Sequence, residues 1–426
     1  MLGVCAYLVA FPFLQVGAAS LALFVLTAVF IALQQKRDGA SDPGYAFLWP
    51  VLPFLAAAVL AVARAPDPTL ASGILSFFAP GLVLFVIMQR YPAWPIQYWR
   101  LAWTLVSAVI SFSIIVGYAR FRLGAVLPPL TGPAEAAVFL AGNELLIVPN
   151  DICASAILLV CPLALLAGAA QSSDVRGSGV QPWVVRAAAW ATIGLTAMAV
   201  VILRSRAGLA VAFTEILITG LVWRRALLWL LPIGLAVAVV DLALGLRTLE
   251  KVLLANNLDN HGVIGRLGLW DSAWEMFRTA PFWGHGAQSF GPEHGAFLPR
   301  WSPRFPERRV MWAHDLYLET LAEQGLTGFG TLMIMFLLPL RSLCKDIVNR
   351  ARLAHIDRES VFAVAGLAGF LVAAALELSF IRRWVPLVMF GVIGFALRAH
   401  PFRQQAFHKR SGIADVAGAP LSREHS

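Results

Sequence analysis

Ala313-His314-Asp315-Leu316-Tyr317-Leu318-Glu319, followed by Glu323-Gln324-Gly325-Leu326, ends a long polar stretch, 245–330, by running it straight into an apolar helix. Earlier in the same stretch stand Gly265-Arg266-Leu267-Gly268-Leu269-Trp270 and Pro281-Phe282-Trp283-Gly284-His285-Gly286. On both sides of it the chain is mostly continuous apolar runs. The stretch holds four of the eight histidines and is the only substantial aqueous segment before the C-terminal tail, so any chemistry is expected here.

The rest of the chain states the class. Hydrophobic residues make up 59% and charged residues only 13%, with a mean hydropathy of +0.74, far outside the soluble range. Runs long enough to cross a bilayer recur throughout. They are continuously apolar, whereas a membrane β-barrel shows short segments of alternating polarity. The expected fold is an all-α polytopic membrane protein of about twelve transmembrane helices. The spans are placed at 2–16, 18–34, 46–63, 70–89, 100–118, 151–170, 183–203, 207–223, 226–244, 316–340, 361–378 and 384–398. This divides the chain into helices 1–9 (1–244), a large loop carrying the motifs (245–315), helices 10–12 (316–398) and a disordered tail (399–426).

Basic residues report orientation in such a chain, so the net charge of +9 is not read as a nucleic-acid signal. With both termini cytoplasmic, eighteen Lys and Arg fall on inside segments and seven on short outside segments. The large loop is then external, periplasmic in a Gram-negative source. Cys5, Cys153, Cys161 and Cys344 lie in or beside predicted spans and imply neither disulfides nor a zinc site.

Some arginines break the charge rule. Arg204 and Arg206 form one external turn, and Arg382 and Arg383 another. A guanidinium offers a fixed fork of donors suited to phosphate or carboxylate, and with Arg266 these residues suggest an external anion site. The plainer reading is snorkelling at helix ends.

His314 stands where loop becomes helix, a place that disfavours a positive charge and holds the imidazole neutral, ready to accept a proton. Asp315, Glu319 and Glu323 follow at i+4 spacing, and an acidic first turn also simply complements the helix dipole. His261, His285 and His294 have no compact ligand spacing, so no metal is expected. The glycines of Gly284-His285-Gly286 are assigned to a tight turn after Pro281. Glu215, Asp241 and Glu377 are acids inside spans, which normally mark a pathway or a buried partner. For Glu377 the nearest such partners in sequence are Arg382 and Arg383.

The order of these motifs resembles the O-antigen ligase and O-antigen polymerase superfamily. Ser205-Arg206-x-Gly208 is followed by Arg266-x-x-x-Trp270, Pro281-x-x-Gly284-x-Gly286, and His314-Asp315-x-Tyr317-Leu318-Glu319 with Glu323-x-Gly325. Pro149-Asn150 at the start of a span resembles a further family feature. The resemblance implies a metal-independent, inverting glycosyltransferase of the GT-C class that needs no cofactor. It implies that His314 activates an acceptor hydroxyl, and that Arg206 and Arg266, with Arg382 and Arg204, hold a diphosphate. Asp315, Tyr317, Glu319, Trp270 and Asn150 would support them. Two departures from the family pattern are Asp315, where asparagine is common, and Ala207, where glycine usually follows the arginine directly.

Within the family, the second external segment, 119–150, is shorter than polymerases show, and the tail lacks the extra portion of protein-directed relatives. The expected protein is therefore a ligase in the bacterial inner membrane. It would move a glycan from undecaprenyl diphosphate to the lipid A core, with membrane lipids as its surroundings, as a monomer and without nucleic acid. A polymerase of lipid-linked repeats is the alternative. A lipid-linked glycan transporter would show an internal repeat and a polar path through the membrane, and neither is visible.

Overall fold

The computed structural model describes residues 48–90, 96–123, 152–169, 181–203, 205–223, 225, 228, 263–302, 312–351 and 357–398. The expected spans 2–16, 18–34 and 226–244 (apart from residue 228), the tail, and the loop up to 262 lie outside them. Among the described residues the regular structure is entirely helical.

In chain order the helices are α1 (Leu52–Ala63), α2 (Pro68–Arg90), α3 (Ile96–Leu123), α4 (Ile152–Ile157), α5 (Val160–Ala169), α6 (Pro182–Leu203) and α7 (Arg206–Val222). Then come α8 (Val263–Thr279) and α9 (Phe290–Phe297) within the polar stretch, followed by α10 (Leu316–Ala351), α11 (Arg358–Leu376) and α12 (Trp384–Arg398). Among the described residues, five segments are long and apolar enough to cross a membrane: 71–89 of α2, 96–116 of α3, and the whole of α6, α10 and α11. The protein is thus a multi-pass helical membrane protein. The apolar stretch at 151–170 is broken at Leu158 and Leu159 into α4 and α5.

Without a hydrophobic drive between helices in lipid, close packing and hydrogen bonds hold the bundle. Small residues bring α2 against α12, where a methyl group on Gly81 would stand 2.7 Å from Pro386 O. Hydroxyls join the middle of α3 to α4 and α6: Ser107 and Ser155 each donate to the other's carbonyl, at 3.2 and 3.1 Å, and Ser111 bonds Thr196 at 3.1 Å. Helix starts are capped by side chains that satisfy otherwise orphaned N–H groups. Ser205 accepts from Gly208 N at the head of α7, and Asp357 accepts from Glu359 N at the head of α11.

α7 and α11 run antiparallel and place one part of the site. Trp223 packs edge-on against Phe362, and Glu215 lies against Gly369, where an added Cβ would meet its Oε1 at 2.5 Å. Continuing that pairing about nine residues, or about 13 Å, brings Arg206 level with Glu377 at the end of α11.

α10 is interrupted at Gly325, whose φ of 64° and ψ of −161° leave the helical region. The break orphans carbonyls on one side and N–H groups on the other, and the turn 281–286 supplies partners for both. His285 N and Gly286 N donate to Ala322 O and Glu323 O at 3.0 and 2.8 Å, while Leu326 N and Thr327 N donate to Pro281 O and Phe282 O at 2.8 and 3.2 Å. Gly284 and Gly286 have φ of 66° and 102°, so the turn expected from the sequence is present. Its second role, closing a broken helix, was not legible in the sequence.

Candidate functional site

The site forms where the heads of α8 and α10 meet the segment 377–382, which links α11 to α12. Arg266, on the first turn of α8, donates to Leu376 O at 3.1 Å and forms a short ion pair with Glu377 Oε2. The other oxygen of Glu377 lies 2.8 Å from His314 Nδ1. Trp312 Nε1 is 3.2 Å from that same Nδ1, and one ring nitrogen cannot both donate to the carboxylate and accept from the indole. The shorter, charge-assisted contact decides: Nδ1 carries a proton, and Nε2 is the ring nitrogen left for proton exchange. The Glu377 side chain is only 5% exposed, whereas those of His314 and Arg266 are 24% and 38% exposed. The imidazole and the guanidinium reach solvent from an anchored carboxylate beneath them. Two of the five guanidinium N–H donors are used here, so others remain for an anion.

Arg382 joins through an aromatic ring. Its guanidinium lies 4.7 Å over Trp312, and Trp312 in turn packs on His314 at a centroid distance of 5.3 Å. The cluster therefore runs Arg382, Trp312, His314, Glu377, Arg266.

Local structure explains how His314 is presented. It adopts φ of 57°, a left-handed conformation costly for a residue with a Cβ. The residues beside it hold it there. Ala313 N donates to Glu319 Oε2 at 3.1 Å, and Asp315 Oδ1 accepts from Tyr317 N and Leu318 N at 2.8 and 3.0 Å, which makes Asp315 the N-cap of α10. Burial pushes the Asp315 carboxyl up, while the two capping N–H bonds pull it down. Glu319 also accepts from Ser379 Oγ in a short hydrogen bond, so this buried carboxylate ties the residue before His314 to the loop just after Glu377. Tyr317 donates from its hydroxyl to Leu371 O at 2.8 Å, fixing α10 on α11.

Of the expected site residues, the structure brings together Arg266, His314 and Arg382, with Asp315, Tyr317 and Glu319 as braces. Arg206 is exposed at the head of α7, at the level of Glu377. Trp270 follows Arg266 by one turn of α8, and its buried indole N–H has no hydrogen-bond partner among the described residues. Arg204 and Asn150 lie outside the described residues. Glu377 and Trp312 were missed as site members. The signal for Glu377 was its cost as an acid near a membrane segment, but it pairs with Arg266 and His314, more than sixty residues away in sequence. Among the described residues no three His, Cys, Asp or Glu side chains gather as metal ligands.

A multi-pass helical bundle here gathers an imidazole, a buried carboxylate and arginines, groups whose chemistry suits proton transfer and anion pairing. Residues 191–333, about a third of the chain, match the O-antigen ligase family. The match spans Arg206, Arg266 and His314, whereas Glu377 and Arg382 lie beyond it and join the site only through folding. No curated protein matches the chain.

Proposed function

We propose that the protein is an O-antigen ligase, transferring a glycan from undecaprenyl diphosphate to the lipid A core at the periplasmic face of the inner membrane. The observation that carries this reading is Glu377, which holds His314 by its Nδ1 beside the Arg266 guanidinium. The acceptor hydroxyl oxygen attacks the anomeric carbon from the face opposite the diphosphate. The bond from that carbon to the phosphate oxygen breaks, and undecaprenyl diphosphate leaves with the electron pair. The hydroxyl proton passes to His314 Nε2. Charge gathers on the leaving diphosphate, and the spare donors of Arg266 with Arg206 and Arg382 stabilise it, so the reaction proceeds without a metal.

The test uses purified protein, lipid-linked O-antigen and rough lipopolysaccharide in detergent with EDTA and no nucleotide. Wild type is compared with His314→Ala and Arg266→Ala. Transfer that survives EDTA and is lost in both folded variants supports the ligase. Longer lipid-linked chains without transfer to lipopolysaccharide would make the protein a polymerase. A donor that binds and crosses a vesicle membrane with neither product formed would make it a transporter.

A further inference from the structure

We propose that the turn 281–286 is a membrane anchor, with Phe282 and Trp283 seated in lipid at the membrane–water boundary and setting the depth of the His314 site. Phe282 is 65% exposed and Trp283 48%, on a turn whose backbone is tied to both halves of α10. Thr327 reinforces this with its hydroxyl, which donates to Phe282 O at 2.7 Å. The turn therefore cannot swing away to bury these side chains, and they face outward at the level of Leu326 and Thr327.

What covers them follows from the helix they are bonded to. α10 is long and apolar enough to cross a membrane, and Leu326, Ile334, Leu337 and Leu338 are 46%, 47%, 50% and 43% exposed. Their spacing places them on one face, as a lipid-facing stripe. Leu326 stands at its head, and Phe282, whose carbonyl holds the next residue's N–H, extends it past the helix break. From Leu326 to Leu338 the stripe runs about 18 Å, a large part of a hydrocarbon core about 30 Å thick. The two aromatics at its end occupy the zone where Trp and its like concentrate in membrane proteins. Continuity with this stripe selects bilayer lipid as the occupant. The same turn is bonded to Ala322 and Glu323, in the first half of α10, which begins beside His314. Anchoring the turn thus fixes the height of the site above the membrane, whatever reaction the site performs.

The test reconstitutes the full chain in lipid nanodiscs with Cys5→Ser and Cys344→Ser, leaving Cys153 and Cys161, which are buried. An environment-sensitive fluorophore is attached, in separate proteins, to Trp283→Cys, Leu338→Cys and Arg278→Cys. Arg278 is 62% exposed and paired with Glu275, and serves as the aqueous reference. Quenching is read with headgroup-proximal nitroxide lipid, deep nitroxide lipid and aqueous iodide. The expected result is several-fold stronger shallow-lipid quenching at Trp283→Cys than at Arg278→Cys, the reverse order with iodide, and deep-lipid quenching at Leu338→Cys. Iodide quenching at Trp283→Cys equal to that at Arg278→Cys would overturn the proposal, as would absence of lipid quenching at Leu338→Cys. Shielding of Trp283→Cys from both quenchers, with self-quenching when two copies share a disc, would overturn it in favour of a contact between copies.

Discussion

Glu377 joins His314 to Arg266, one carboxylate oxygen facing the imidazole Nδ1 and the other the guanidinium. A single side chain thereby fixes Nδ1 of the proposed base and the position of the cation. Glu377→Gln can turn its NH2 toward Nδ1, which moves the ring proton to Nε2 and removes the base. A buried carboxylate behind a catalytic histidine is worth about 10²–10⁴ in kcat, so a loss of that order is expected. Combining Glu377→Gln with His314→Ala should cost less than the sum of the two single losses, because both act on one proton transfer and only the Arg266 contact is lost in addition. Full additivity in steady-state kinetics of glycan transfer would refute the linkage.

Arg266 uses two separate N–H groups, one on Leu376 O and one on Glu377. A lysine retains the charge but cannot span both acceptors while offering a fork to a diphosphate. Arg266→Lys should therefore raise KM for the lipid-linked donor and lower kcat, leaving roughly one tenth or less of wild-type kcat/KM, a transition-state loss of about 1.4 kcal/mol or more. Titration of transfer rate against donor concentration separates the two effects.

The joint between the turn 281–286 and the broken α10 has no room for a methyl group. A Cβ on Gly325 would stand 2.5 Å from the Phe282 carbonyl carbon, and one on Gly284 2.3 Å from that of Glu323, both backbone atoms and both at positive φ. Gly325→Ala is expected to destabilise the fold by about 2 kcal/mol or more, through strain and overpacking together. Gly295→Ala, with open space around it, should be tolerated. Thermal unfolding in detergent distinguishes the two, and equal melting temperatures would contradict the packing described.

Asp315 caps α10, and asparagine caps as well. Asp315→Asn should keep activity within a few-fold of wild type, whereas Asp315→Ala should lose about 1 kcal/mol of stability. The pH dependence has a definite sign. Burial raises the folded-state pKa of Asp315 above its unfolded value of about 4, so the folded wild type holds its proton longer. Wild-type stability relative to Asp315→Asn should therefore fall as pH rises from about 4 through the raised value, and level off above it. A difference that grew in favour of wild type over that window would reverse the assignment.

Much of the helical pattern was legible because apolar runs and membrane thickness are properties of the chain itself. The span expected at 183–203 is α6 (Pro182–Leu203), and that at 384–398 is α12. Helices α8 and α9 were not separated out of the polar stretch, since their contribution to the fold lies in packing against α10 and each other. The break at Gly325 was hidden for a similar reason: the glycine was visible, but its partners at 281–286 lie some forty residues earlier.

The sequence by itself determined that this is a helical membrane protein with a segment, 191–333, similar to the O-antigen ligase family, and it singled out Arg266, His314 and Arg382, because composition, local caps and motif order are written residue by residue. Only the tertiary structure decided which groups act on one another. Glu377 became the partner of both Arg266 and His314, Trp312 came between His314 and Arg382, and Glu319 tied Ala313 to Ser379. Most of these contacts close loops of sixty residues or more, and charge and hydrogen-bonding chemistry alone does not choose among several arginines. Helix packing makes that choice, by setting the heads of α8 and α10 beside the end of α11.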